Sequence, residues 1–128
     1  MINYKKILVV DDDEDVAYFV SKFLEAEGYK TRTAFDGQKA LNILGREAFG
    51  IILLDLMMPV LDGMSVLGKI KQLKNKPIII VFTGKRITEE EKKVINKEAF
   101  GIIYKPYKLK DIRRLLKRAS AEIRKRKR

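Results

Sequence analysis

The sequence predicts one α/β domain with a doubly wound, five-stranded parallel sheet that is covered by helices on both faces. Five short apolar segments alternate with five segments whose apolar residues have helical spacing. Three of the apolar segments are continuous aliphatic runs, which are typical of strands buried on both faces. The chain has 128 residues, which is enough to bury the core of one domain.

The strands are predicted from these apolar segments. The three strongest are Ile7–Val10, Ile51–Leu54 and Ile78–Phe82, and the two weaker ones are Lys30–Phe35 and Ile102–Tyr104. Strict alternation with helices requires right-handed crossovers between parallel strands. We therefore expect three central strands with a weaker strand on each side.

The helices are predicted from their boundary signals. The first ends at Gly28, because glycine readily takes the left-handed conformation that follows a helix. The second and third are entered through Asp36 and Asp62, and the fourth begins with Thr88 and Glu91 at capping-box spacing. The fifth carries an apolar stripe that should dock on the core, formed by Leu109, Ile112, Leu115, Leu116, Ala119 and Ile123.

The charge is concentrated at the end of the chain. Residues 113–128 carry nine Lys and Arg residues against one acid, within a net charge of +11 for the whole sequence. We expect residues 1–120 to form the domain and residues 121–128 to be a basic helix extension or a linker stub. Two interpretations stay open: a solvated helix end, or a contact with an acidic partner, nucleic acid or a membrane.

Composition excludes several kinds of chemistry. The sequence has no Cys and no His, so disulfides, thiolate metal sites and a histidine base are excluded within it. The longest apolar run suits a strand rather than a membrane span, and the N-terminus lacks the pattern of a signal peptide. We therefore expect a cytoplasmic protein whose chemistry uses carboxylates, lysine, hydroxyls and backbone groups.

Polar residues follow four of the five predicted strands. Asp11 and Asp12 follow the first, Asp55 the third, Thr83 the fourth and Lys105 the fifth. The carboxyl ends of parallel strands meet at one edge of the sheet, where ligands bind in this class of fold. Three carboxylates at such an edge suit a hard cation such as magnesium, and a carboxylate can also act as a nucleophile. Taken alone, the acids after the first strand could simply favour a helix N-terminus.

The motifs ILVVDDD, IILLDLMMPVLDG, IIIVFTG and YKPYKL, in this order, resemble the receiver domain of bacterial two-component response regulators. The resemblance extends from the N-terminus to about Arg118. It implies a flavodoxin-like sheet with strand order 2-1-3-4-5 and five helices.

The resemblance also implies a role for each residue of the cluster. Asp55 is expected to be the phosphoacceptor, Thr83 the hydroxyl that moves to the phosphoryl group, and Lys105 the ammonium that pairs with it. The peptide between Lys105 and Pro106 is expected to be cis, a form largely confined to bonds before proline.

A magnesium ion is implied as the cofactor. Asp11, Asp12 and Asp55 are expected to hold it, together with the backbone carbonyl of Met57. The metal would offset the repulsion between these acids and an incoming phosphate.

The implied function is that of a phosphorelay receiver. A histidine kinase or phosphotransfer protein would donate the phosphoryl group, and the modified domain would switch its binding to a downstream target or to a missing output domain. Such a protein phosphorylates and dephosphorylates itself only weakly, so we do not expect it to be an enzyme.

One position departs from the family pattern. Receivers usually carry an aromatic switch residue three positions before the lysine, and here that position is Ile102. A short, β-branched side chain cannot rotate as a ring would. We expect Tyr104, on the same side of the strand, to act as a partner contact, and coupling to the output surface to be weaker.

Two functions of other classes remain as alternatives. The spacing of Asp11 and Asp13 after an apolar strand is similar to the nucleophile and acid/base pair of haloacid dehalogenase-type phosphohydrolases, although the later acidic pair and room for a cap are missing. A DNA-binding regulator could use the basic C-terminus, but the sequence has no room for a helix-turn-helix.

Overall fold

The computed structural model describes residues 5–58, 63–74, 76–84 and 86–126. The strands are β1 (Lys6–Val10), β2 (Lys30–Ala34), β3 (Ile51–Asp55), β4 (Ile78–Thr83) and β5 (Gly101–Tyr104). The helices are α1 (Glu14–Ala26), α2 (Gly37–Leu44), α3 (Gly63–Ile70), α4 (Glu89–Glu98) and α5 (Leu109–Arg126). None of these described helices is long and apolar enough to cross a membrane.

The strands form one parallel sheet in the order β2-β1-β3-β4-β5, which confirms the predicted topology. Some strand ends differ by a residue from the sequence prediction. β3 and β4 each run one residue further, to Asp55 and Thr83, because the backbone ladder continues there. Leu56 N donates to Phe82 O at 3.0 Å, and Lys105 N donates to Thr83 O at 2.9 Å. The polar residues are therefore held by the sheet itself rather than by flexible loops.

The central strands send alternate side chains to two apolar layers. Ile7 and Val9 of β1 face the layer formed with α1 and α5, whereas Leu8 and Val10 face the layer formed with α2, α3 and α4. β3 and β4 alternate in the same way and are buried along their whole length. Strand β2 at one edge alternates between exposed and partly buried residues, which explains its weak sequence signal.

Most of the predicted helix boundaries are confirmed. Asp13 caps α1, Asp36 caps α2, and Thr88 with Glu91 forms a complete capping box at the start of α4. Gly28 follows α1 with a φ of +95°, a conformation that L side chains rarely adopt. The predicted entry through Asp62 lies outside the described residues.

Helix α5 is continuous across residue 120, where the sequence analysis divides the domain from its extension. Ile123 is only 4% exposed and belongs to the layer formed with α1. The apolar stripe therefore docks for one turn beyond the expected boundary, and the exposed basic residues of the last turn follow it.

Candidate functional site

The predicted polar cluster lies at the carboxyl edge of the sheet. Asp11 directly follows β1 and Asp55 ends β3, and each is only 3% exposed, while Asp12 is exposed. Carboxylate oxygens from these three residues all lie within 4.8 Å of one another. Residues that are 44 positions apart in the sequence thus form one acidic group because β1 and β3 are neighbours in the sheet.

Lys105 completes the cluster from the end of β5. Its Nζ lies 3.1 Å from Asp55 Oδ2, where it donates a hydrogen bond, and 3.5 Å from Asp11 Oδ2. The Lys105–Pro106 peptide is cis, as the resemblance implies. One ammonium therefore faces both buried carboxylates.

Backbone amides hold the remaining oxygens of these carboxylates. Asp13 N donates to Asp11 Oδ1 at 2.9 Å, and Met57 N donates to Asp55 Oδ1 at 2.9 Å. In both turns an aspartate accepts from the amide two residues later, a local preference of this side chain. These two contacts were not predicted from the sequence. The predicted metal contact of the Met57 carbonyl stays a prediction, and the Met57 side chain is half exposed.

The ionisation of the cluster follows from its burial and its charges. Burial raises the pKa of Asp11 from 3.8 to about 6, and the negative charge of Asp55 adds to this effect. Burial lowers the pKa of Lys105, but the charges of Asp55 and Asp11 together outweigh it, so this pKa lies above its ordinary value. Lys105 therefore stays charged at neutral pH. The surroundings of Asp11, in contrast, disfavour its ionised form.

The donor set fits a hard divalent cation. All the converging ligand atoms are carboxylate oxygens, which hard divalent cations prefer. Three carboxylates outnumber the single ammonium, so a cation placed among them would remove much of the remaining repulsion.

Thr83 and the proposed switch positions lie on the two neighbouring strands β4 and β5. Thr83 is fully buried at the end of β4, and its register partner is Tyr104, which is 55% exposed. Ile102 is paired with Val81 and packs against the layer of α2, α3 and α4. Because paired residues of adjacent strands point to the same face, Tyr104 rather than Ile102 is the direct neighbour of Thr83.

Gly63 is a structural support of the site that the sequence analysis did not single out. A Cβ at this position would lie 2.5 Å from Leu56 Cα and 2.7 Å from Asp55 O. Only glycine lets the first turn of α3 pack directly on the backbone that carries the phosphoacceptor candidate. The signal was present in the sequence as the last residue of the IILLDLMMPVLDG motif.

Tyr107 is a second neighbour of the cluster that was not predicted. Its ring lies 5.1 Å from that of Phe82, and burial raises the pKa of its hydroxyl. It therefore forms a neutral wall beside the charged residues. Like Gly63, it falls within a quoted motif, YKPYKL.

The fold and site together define an α/β domain with an acidic cluster at the carboxyl edge of its sheet, and comparison with known proteins gives the family. The family model for the response regulator receiver domain matches residues 7–117 of the sequence. The response regulator ArlR of Staphylococcus aureus (strain Mu50) is 35% identical over 119 residues, which cover 93% of this chain and 52% of that protein. The chain thus belongs to the response regulator receiver domain family of two-component systems, and it spans about half the length of the curated relatives it matches.

Solved structures agree with this assignment. The receiver domain of the Francisella response regulator 1452 superposes with a TM-score of 0.83 at 27% identity, covering 92% of this chain and 98% of that one. NtrX from Brucella abortus gives a TM-score of 0.78 at 30% identity, but this chain covers only 28% of it. The same fold therefore makes up nearly all of one solved chain and only part of a much longer one.

The alternative assignment as a haloacid dehalogenase-type phosphohydrolase is wrong. The family comparison excludes it, and the geometry agrees. Its expected acid/base residue, Asp13, caps α1 instead, accepting hydrogen bonds from Asp15 N at 3.0 Å and Val16 N at 3.2 Å.

The raised pKa of Asp11 predicts how stability depends on pH in magnesium-free buffer. Between about pH 4 and pH 6 the folded protein keeps a proton that the unfolded chain has lost, so the free energy of unfolding falls as pH rises. The difference between the pKa of Asp11 in the folded protein and in the unfolded chain corresponds to about 3 kcal/mol of unfolding free energy. Asp11→Asn should therefore raise the free energy of unfolding at pH 7 by about 1–3 kcal/mol and change it little near pH 4.

Urea unfolding at both pH values, with EDTA present, checks this prediction. Glu25→Gln is the control, because the Glu25 side chain is exposed and forms an ion pair with Lys22 at 3.4 Å. A destabilised Asp11→Asn protein at pH 7 would show that the charged carboxylate is favoured by its surroundings, contrary to this account.

Two glycines of α3 provide a matched pair of substitutions. Gly63→Ala should lower the free energy of unfolding by about 1–3 kcal/mol, because the added methyl group overlaps the Asp55–Leu56 backbone. Gly68→Ala should raise it by about 0.5–1 kcal/mol, because a Cβ there meets nothing within 4 Å and alanine favours helix. Urea denaturation followed by circular dichroism measures both. Equal effects of the two substitutions would mean that the close contact at Gly63 does not matter.

Proposed function

We propose that this chain is a magnesium-dependent phosphoacceptor switch that takes a phosphoryl group onto Asp55. The observation that carries the proposal is the position of the Lys105 ammonium, 3.1 Å from Asp55 and 3.5 Å from Asp11, within the same group of carboxylates. A metal cation and an ammonium group beside one carboxylate are the elements that phosphoryl transfer needs.

In the proposed reaction the donor is a phosphohistidine of a histidine kinase or phosphotransfer protein. An oxygen of Asp55 attacks phosphorus, a new O–P bond forms, the N–P bond of the donor breaks, and the imidazole leaves with the electron pair of that bond. Lys105 pairs with a phosphoryl oxygen in place of a carboxylate oxygen. Its raised pKa supports this role, because the side chain stays charged throughout.

A magnesium ion is the proposed cofactor. Asp11, Asp12, Asp55 and the backbone carbonyl of Met57 would hold it. When bound, it supplies positive charge that neutralises the phosphoryl oxygens. The buried position of Asp11 supports the proposal, because a site that disfavours an isolated carboxylate charge gains most from a cation.

The proposed switch begins at Thr83. Its hydroxyl and the amide of Gly84 are suitable donors to new phosphoryl oxygens, so this strand end and the loop that precedes α4 would move towards Asp55. Tyr104, the register partner of Thr83, would act as a partner contact at this surface. The output surface would be that of α4, β5 and α5, where a cavity of about 390 Å³ is lined by Ile102, Tyr104 and Arg118, among others.

The protein is proposed to act as a signalling partner rather than as an enzyme. It would phosphorylate itself from small phosphodonors and lose the acyl phosphate only slowly. Its downstream partner would be a separate protein or an attached output domain, as in the longer family members. The need for a kinase that uses ATP favours a cytoplasmic location. The basic end of α5 is a further candidate contact with an acidic partner, nucleic acid or a membrane.

The acceptor is tested by intact-mass measurement after incubation with magnesium and acetyl phosphate. The wild-type protein should gain one phosphoryl group, and Asp55→Asn should gain none, because the amide is not a nucleophile of this kind. Asp36→Asn is the control, since asparagine also caps α2 and the site is untouched. Full labelling of Asp55→Asn would refute the assignment.

The switch is tested by amide chemical shifts on adding beryllofluoride, a phosphoryl mimic, with magnesium. Large changes should extend from Thr83 through α4 to Tyr104, because the buried strand end is coupled by register to β5. Tyr104→Ala should reduce the changes in β5 more than Ile102→Val does. Changes confined to residues around Asp55 would show that the chain binds the mimic without passing the signal by this route.

A further inference from the structure

A second polar cavity lies at the opposite edge of the sheet from Asp55. It has a volume of about 310 Å³ and is enclosed by α5, the end of α1 and the residues that precede β1 and β2. Lys5 and Tyr29 stand immediately before these two strands and line the cavity. It shares no residue with the phosphoacceptor site.

The cavity is strongly cationic. Its lining includes four positively charged side chains, Lys5, Arg113, Lys117 and Arg124, against one carboxylate, Glu27. Glu27 accepts a hydrogen bond from Arg113 Nε, which fixes the guanidinium at the wall of the cavity. The four basic side chains are themselves exposed, so the positive charge exceeds the negative charge around a concave region that is open to solvent.

The spacing along α5 places these groups on one side of the helix. Arg113, Lys117, Ser120 and Arg124 stand at positions i, i+4, i+7 and i+11, which repeat on one helical face. Ser120 is 6% exposed, and its hydroxyl lies 3.3 Å from that of Tyr29. Two neutral hydroxyl groups thus lie among the cations.

We propose that this cavity binds a small anion carrying two or more phosphate groups. Arginine and lysine are the side chains that recognise phosphate oxygens. Because one hydroxyl of the Tyr29–Ser120 pair donates to the other, the second hydroxyl can donate to a phosphate oxygen. The volume lies at the lower end of the range for small-molecule sites. Such a ligand would bridge α5 to the base of β1 and β2, and would bind whether or not Asp55 is phosphorylated.

Calorimetric titration of the full chain with inorganic pyrophosphate and with ADP, at physiological salt, tests this site. Lys117→Ala/Arg124→Ala should weaken binding by about tenfold or more, because both side chains line the cavity. Arg114→Ala/Lys125→Ala is the matched control: it removes the same charge from the same helix at exposed positions outside the cavity, and should change binding by less than about threefold.

The two probes also separate the possible ligands. Equal affinity for pyrophosphate and ADP means that phosphate groups alone are recognised, and tighter binding of ADP means that the nucleoside also contacts the cavity; both support the site. The proposal is overturned if neither probe binds, if both double variants lose affinity equally, or if only a short DNA duplex binds. These results do not depend on phosphorylation of Asp55.

Discussion

The carboxyl edge of this receiver depends on one ammonium placed against two buried carboxylates. Asp11 and Asp55 are each 3% exposed, and taking a carboxylate out of water costs several kcal/mol unless it is paired. Lys105 lies 3.1 Å from one and 3.5 Å from the other, and a backbone amide holds the second oxygen of each. This compensation is incomplete, as the raised pKa of Asp11 shows.

The fold makes this unfavourable group possible. β3 and β4 are buried along their whole length, and two apolar layers, one on each face, hold the sheet rigid beneath the site. Gly63 lets α3 press on the backbone of Asp55, and the backbone of Lys105 is bound to that of Thr83. Burial of the two apolar layers thus stabilises the fold enough to keep together a cluster of like charges that repel one another.

Much of this could be predicted from the sequence because the signals are local. Continuous aliphatic runs identified the central strands. The site residues Asp11, Asp55, Thr83 and Lys105 were then predicted because each directly follows a predicted strand. Capping residues such as Asp36 can also be recognised locally, because the backbone amide that each one caps lies within four positions. The family motifs then supplied the strand order, which local patterns alone do not determine.

What could not be predicted depends on distances between separate elements. The overlap that any side chain at Gly63 would create arises only when α3 lies on β3. The pairing of Thr83 with Tyr104 depends on register between β4 and β5. The apolar stripe predicted that Ile123 docks on the core, but the division at residue 120 placed it in the basic extension, because basic residues dominate the composition there.

Lys105 lies against the carboxylate oxygens to which a metal ion would bind. Calorimetric titration of magnesium into the wild-type protein and Lys105→Met tests this arrangement most directly. If the ammonium and the metal compete for Asp11 and Asp55, the variant should bind magnesium more tightly, because a positive charge has been removed beside the site. Unchanged or weaker magnesium binding in Lys105→Met would show that the ammonium and the metal do not compete for these carboxylates.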